Sequence, residues 1–153
     1  MLPEIAKDNI ESLVPVGEQF KIVVTGYSML PLLGYGHDTI VVRRTDDTEP
    51  IMGRIAMFRA KDRHIIVHRV VAVDGENITF QGDGNTYQRE YGKRSDVVGV
   101  VEEVIREDGR TVSCTTPRWH RRERMWLWQP TIIRRYALAI LRRMANYKRK
   151  NQR

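Results

Sequence analysis

Through residue 115 the apolar positions fall in short runs with a period near two, separated by turn residues, which predicts β-strands. Phe20 to Thr25 is rich in β-branched residues and reads as the first strand. Thr39 to Arg43 reads as a second, and Arg54 to Arg59 as a third with imperfect alternation. Lys61-Asp62-Arg63 is turn-like, His64 to Val73 is the longest β-rich run, and Asp74-Gly75 is a hairpin signal leading into Asn77 to Gln81. Asp96 to Arg106 and Thr111 to Thr115 flank an Asp108-Gly109 turn. Strands so short and closely spaced predict a mainly β protein, an antiparallel sheet folded into a partly open barrel, with no βαβ units.

The ends of the chain have a different period. Residues 3–14 carry rough helical spacing at Ile5, Ile10 and Leu13, broken by Pro15 and Gly17. Residues 131–147 place Ile133, Tyr136, Ala137, Ile140, Leu141 and Met144 on one helical face, flanked by Arg134, Arg135, Arg142 and Arg143. The change of pattern divides the chain into a β domain over 1–117 and a basic tail over 118–153.

Charge sharpens that division. The chain of 153 residues has net charge +7, but residues 1–117 hold 14 Lys+Arg against 18 Asp+Glu, and residues 118–153 hold 12 against one. A mildly acidic body thus carries a strongly basic tail. The tail fits a helix packed on the body, or peripheral contact with an anionic membrane through its arginines and Trp119, Trp126 and Trp128. No nucleic-acid recognition motif accompanies the cations, so no specific nucleic acid is expected. No apolar run reaches the length of a membrane span, and residues 1–21 lack the basic start and apolar run of a secretory signal. With the single cysteine, Cys114, this points to a cytoplasmic protein, peripheral on the inner face of the membrane if the tail binds lipid.

Three segments carry candidate chemistry. Ser28 lies in Thr25-Gly26-Tyr27-Ser28-Met29-Leu30-Pro31, between a strand and a turn, either as a turn serine or as a nucleophile presented at the surface. Gly26 lets backbone approach a substrate closely. His68 interrupts the apolar run Ile65 to Val71, as a solvent-facing strand residue or as a base able to take a serine proton near neutral pH. Asp83 in Gly82-Asp83-Gly84-Asn85 is a turn aspartate, a brace, or the group that orients His68. No metal is expected: His64 and His68 are four apart in a strand, so their side chains stand ~13 Å apart, and His37 lies elsewhere. Cys114 has no histidine motif and reads as a strand cysteine.

Taken in order, Ser28-Met29-x-Pro31, Gly36-x-Asp38, Gly53-x-Ile55-Ala56, His68-Arg69-Val70-Val71, Gly82-Asp83-x-Asn85 and Val98-Gly99-Val100 resemble signal peptidase I and its relatives across residues 20–106. The resemblance implies a serine endopeptidase acting on a peptide or protein substrate without a cofactor, with Ser28 as nucleophile and His68 where bacterial-type enzymes carry lysine. It implies an oxyanion site at Gly26, Ser28 and Met29. Gly26 stands where some relatives have a hydroxyl, leaving backbone N–H groups, that of Ser28 foremost. The histidine-type relatives carry an aspartate shortly after the Gly-Asp loop. Here the segment reads Thr86-Tyr87-Gln88-Arg89-Glu90, so the resemblance implies a Ser28–His68 dyad aided by Asp83, as third member or as brace. Two alternatives accompany this reading: a non-catalytic module that binds an extended peptide on the same fold, and a self-cleaving repressor domain of the LexA kind, which uses lysine as base.

Overall fold

The computed structural model describes residues 10–34 and 38–151. Eight antiparallel strands form one curled sheet: β1 (Gln19–Val24), β2 (Asp38–Arg44), β3 (Ile55–Arg59), β4 (Ile65–Asp74), β5 (Asn77–Gln81), β6 (Glu90–Lys93), β7 (Val97–Ile105) and β8 (Thr111–Ser113). Their order is β1-β2-β7-β3-β4-β5-β6, with β8 on β7. The half-barrel expectation is borne out. Among the described residues three α-helices, α1 (Ile10–Leu13), α2 (Pro117–Trp128) and α3 (Thr131–Asn151), and a 3-10 turn at Arg94–Asp96 complete the fold. The expected N-terminal helix is one turn within the described residues, and its first part lies outside them.

The sheet curls because its central ladders are irregular. Register shifts occur between Val41 and Val42 against β7, between Met57 and Phe58 against β7, and between Val70 and Ala72 against β5. Each shift adds local twist and bends the strand. Curling buries both faces of the centre. Ile55 and Met57 enter a core with Phe20, Ile22, Met29, Leu33, Ile40, Val101 and Trp119, while Ala56 and Phe58 enter a second with Val70, Ile78, Phe80 and Val100. Double burial explains why β3 does not alternate cleanly between apolar and polar residues.

Two elements escape the period-two pattern. β6 reads Glu-Tyr-Gly-Lys, with no buried residue, and forms only because β5 supplies a ladder for it. α2 is announced instead by its boundary. Thr116 is the N-cap, its hydroxyl accepting from the Trp119 N–H, and Pro117 sits in the first turn. Trp119 is 1 % exposed in the larger core, so the tail begins inside the body's packing. No helix among the described residues is long and apolar enough to cross a membrane.

Candidate active site

Ser28 is exposed because its neighbours are not. Met29, Leu30, Leu32 and Leu33 are all buried and pin the turn after β1 to the core, leaving Ser28 outward. The turn is closed by backbone bonds from Leu30 to Tyr27 and from Leu32 and Leu33 to Met29, 3.2 Å each. The Met29 side chain is committed to the core, where its Sδ accepts from the Asp83 N–H at 3.4 Å. Only its backbone is therefore left to serve a ligand. Among the described residues the Ser28 N–H makes no hydrogen bond. Gly26 is exposed, and a Cβ there would meet nothing within 4 Å.

The Gly82-Asp83-Gly84 loop lies against this turn. Gly84 N–H donates to the Ser28 carbonyl at 2.8 Å. A Cβ on Gly82 would stand 2.4 Å from the Ser28 carbonyl oxygen and 3.1 Å from His68 Nε2. The backbone of Ser28 and the imidazole of His68 thus approach the same point in space, one that only glycine leaves free. A Cβ on Gly84 would likewise fall 2.6 Å from the Tyr27 carbonyl.

His68 is buried in β4 beside Phe58, ring centroids 6.4 Å apart. Its Nδ1 bonds the Glu90 carboxylate at 2.8 Å. A carboxylate only accepts, so in the neutral ring Nδ1 carries the proton and Nε2 presents a lone pair. Nε2 is buried without a hydrogen-bond partner among the described residues. A buried polar atom is seldom left this way, and a neutral imidazole nitrogen that presents its lone pair is able to accept a proton.

Asp83 is not the group on His68. It is 2 % exposed, and its two carboxylate oxygens take Arg69 Nε and Nη2 at 2.8 and 2.7 Å. Arg69 Nη1 bonds Glu123 of α2 at 2.8 Å and the Gly53 carbonyl at 2.9 Å. Burial pulls the Arg69 pKa down, but Asp83 and Glu123 outweigh it and hold it above its ordinary value. Asp83 therefore ties the Gly82–Gly84 loop to β4 through Arg69, and it is Glu90 that bonds the His68 ring. The sequence offered Glu90 only as a carboxylate near where an aspartate was expected.

A groove of about 320 Å3 runs past the site, with residues 22–26 and Ser28 on one wall and Ile65, Ile66, Val67 and His68 on the other. Both walls are open strand edges. Among the described residues β1 pairs only with β2, and residues 65–68 pair with β3 alone, because the β5 register begins at Arg69. A model of the Peptidase S24-like family matches residues 4–105.

The chain belongs to the Peptidase S24-like family. The matched region holds Ser28, His68, Asp83 and Glu90 and ends before α2. A search of curated proteins finds no match. Among the described residues no lysine lines the groove of this S24-like domain. His37 lies outside the described residues, and no cluster able to hold a metal occurs among those described.

Proposed function

We propose that this S24-like domain is a serine endopeptidase of the histidine-base, signal-peptidase-like type, with Ser28 as nucleophile, His68 as base and Glu90 as the group that orients and stabilises the imidazole. The observation that carries the reading is His68 itself: Nδ1 held by Glu90, Nε2 buried and unpartnered where Ser28 and Gly82 meet. The absence of lysine from the groove favours it over the lysine-dependent repressor type.

An extended peptide fits between the two open edges by backbone pairing, which presents its carbonyl to Ser28. Ser28 Oγ attacks that carbon while its proton passes to Nε2. The negative charge moves to the carbonyl oxygen, where the Ser28 N–H donates to it. The imidazolium is stabilised by Glu90 and returns the proton to the leaving amine as the C–N bond breaks. Water then attacks the acyl-enzyme, giving its proton to Nε2, and the acid product leaves as Ser28 is reprotonated.

Labelling by a fluorophosphonate tests this without a known substrate. The wild-type chain should label, and Ser28→Ala and His68→Ala should not. Failure of the folded wild type to label, or equal labelling of Ser28→Ala, refutes the assignment and favours the peptide-binding module.

A further inference from the structure

α3 is docked by one side and bare on the other. Its body side holds Leu138, 4 % exposed, with Ala137, Leu141 and Ala145 half-buried around it. That side also carries Arg142, which donates to the Gly84 carbonyl at 2.7 Å, and Arg134, which reaches the Asp83 carbonyl at 3.5 Å. Trp126 of α2 donates to the same Asp83 carbonyl at 3.0 Å. These bonds fix the helix's rotation about its axis.

With that rotation fixed, Ile132, Ile133, Tyr136, Ile140, Met144 and Tyr147 point away from the body and are 49–71 % exposed. Four of these, Ile133, Tyr136, Ile140 and Met144, belong to the face whose spacing suggested packing on the body. The structure turns them to solvent and buries Leu138 instead. Six large apolar side chains on one helical stripe are more than isolated surface residues. A shallow hollow of about 370 Å3 on the stripe is lined by Ile132, Arg135, Tyr136 and Ala139. Trp128, at the end of α2, is 85 % exposed.

Charge selects the occupant. Residues 118–153 hold 12 Lys+Arg and one acid, Glu123, which is spent on Arg69, Trp119 and His120. Among the described residues Arg143, Lys148, Arg149 and Lys150 have no ion-pair partner. A second copy covering the stripe would bring two such cationic sets together. A nucleic acid would satisfy the cations but leave the isoleucines and Met144 without an apolar partner. A bilayer with anionic headgroups satisfies both, the aliphatic stripe entering the acyl boundary and the tyrosines and cations resting among headgroups.

We propose that α3 docks on an anionic lipid surface through the Ile132–Tyr147 stripe. The helix lies in the plane of the interface, and its opposite face stays bonded to the Gly82–Gly84 loop. The groove is then held at a set height above the headgroups. That consequence rests on the peptidase reading, whereas lipid docking does not.

Sedimentation of the full chain with vesicles tests the proposal. Vesicles with one-third phosphatidylglycerol in phosphatidylcholine should bind the wild type, and pure phosphatidylcholine should bind it at least tenfold more weakly. Raising the salt should weaken binding. Ile140→Glu with Met144→Glu, both at exposed positions, should reduce partitioning at least tenfold with thermal unfolding unchanged. Ser28→Ala should bind as the wild type does, which separates this result from failure of the peptidase reading. The proposal is overturned by no binding to anionic vesicles at low salt, or by binding that the double substitution leaves intact. A dimer by light scattering that the double substitution dissociates overturns it too, as does tighter binding to a single-stranded RNA that it abolishes.

Discussion

Glu90→Gln isolates the feature that distinguishes this site, because it removes a charge while keeping the shape. Glu90 lies in β6, is partly buried, and reaches His68 Nδ1 across β5 at 2.8 Å. A hydrogen bond to a charged group contributes about 1.5–3 kcal/mol. Each ~1.4 kcal/mol of transition-state stabilisation is about tenfold in rate. The Glu90 side chain is 29 % exposed, so solvent screens part of the charge and the lower half of that range applies. If the glutamine oxygen accepts from Nδ1, the loss is that of the charge alone, about 10- to 40-fold. If the amide rotates and donates, the proton is forced onto Nε2 and the base is lost, a cost of up to about 10^4. The assay is the second-order rate of fluorophosphonate labelling at Ser28, with thermal unfolding measured alongside. A fall of at least tenfold with the fold intact is expected. A rate within twofold of wild type would refute the assignment of Glu90 as the orienting group.

Two further outcomes follow from the packing around the loop. Gly82→Ala places a methyl 2.4 Å from a backbone oxygen that cannot swing aside, so the Ser28 turn must move; labelling should fall more than tenfold, and an unchanged rate would show that the close approach is not required. Acid sensitivity should report the Glu123 pairing. Burial pushes Glu123 up, but Arg69, with the His120 and Trp119 bonds, outweighs it and holds the carboxyl below its ordinary value of 4.5. A carboxyl so depressed stabilises the fold fully above pH 4.5 and loses that contribution as pH falls through its folded value. The melting temperature of Glu123→Gln, lower at pH 7, should therefore fall less than that of wild type between pH 5 and pH 3.5; parallel curves would contradict the pairing.

Local sequence was sufficient wherever a local rule governs the structure. Alternation placed seven of the eight strands to within a few residues, because a residue on a pleated sheet is buried or exposed by its own parity. The segment around Ser28 was legible as lying between a strand and a turn, and the tail's charge was visible by counting. Partners were not legible, because register across strands sets them. His68 and Arg69 are neighbours on β4, and successive strand residues point to opposite faces, so one sheet face gives His68 to Glu90 and the other gives Arg69 to Asp83. Nothing in Glu-Tyr-Gly-Lys announces a strand, yet the β5 ladder makes it one and brings Glu90 to the imidazole. The helical period of residues 131–147 likewise predicted an amphipathic helix, but Ile133, Tyr136, Ile140 and Met144 of the face it offered for docking are left bare. Hydrogen bonds from Arg134 and Arg142 to the loop carbonyls decided that, and turned the larger apolar stripe outward.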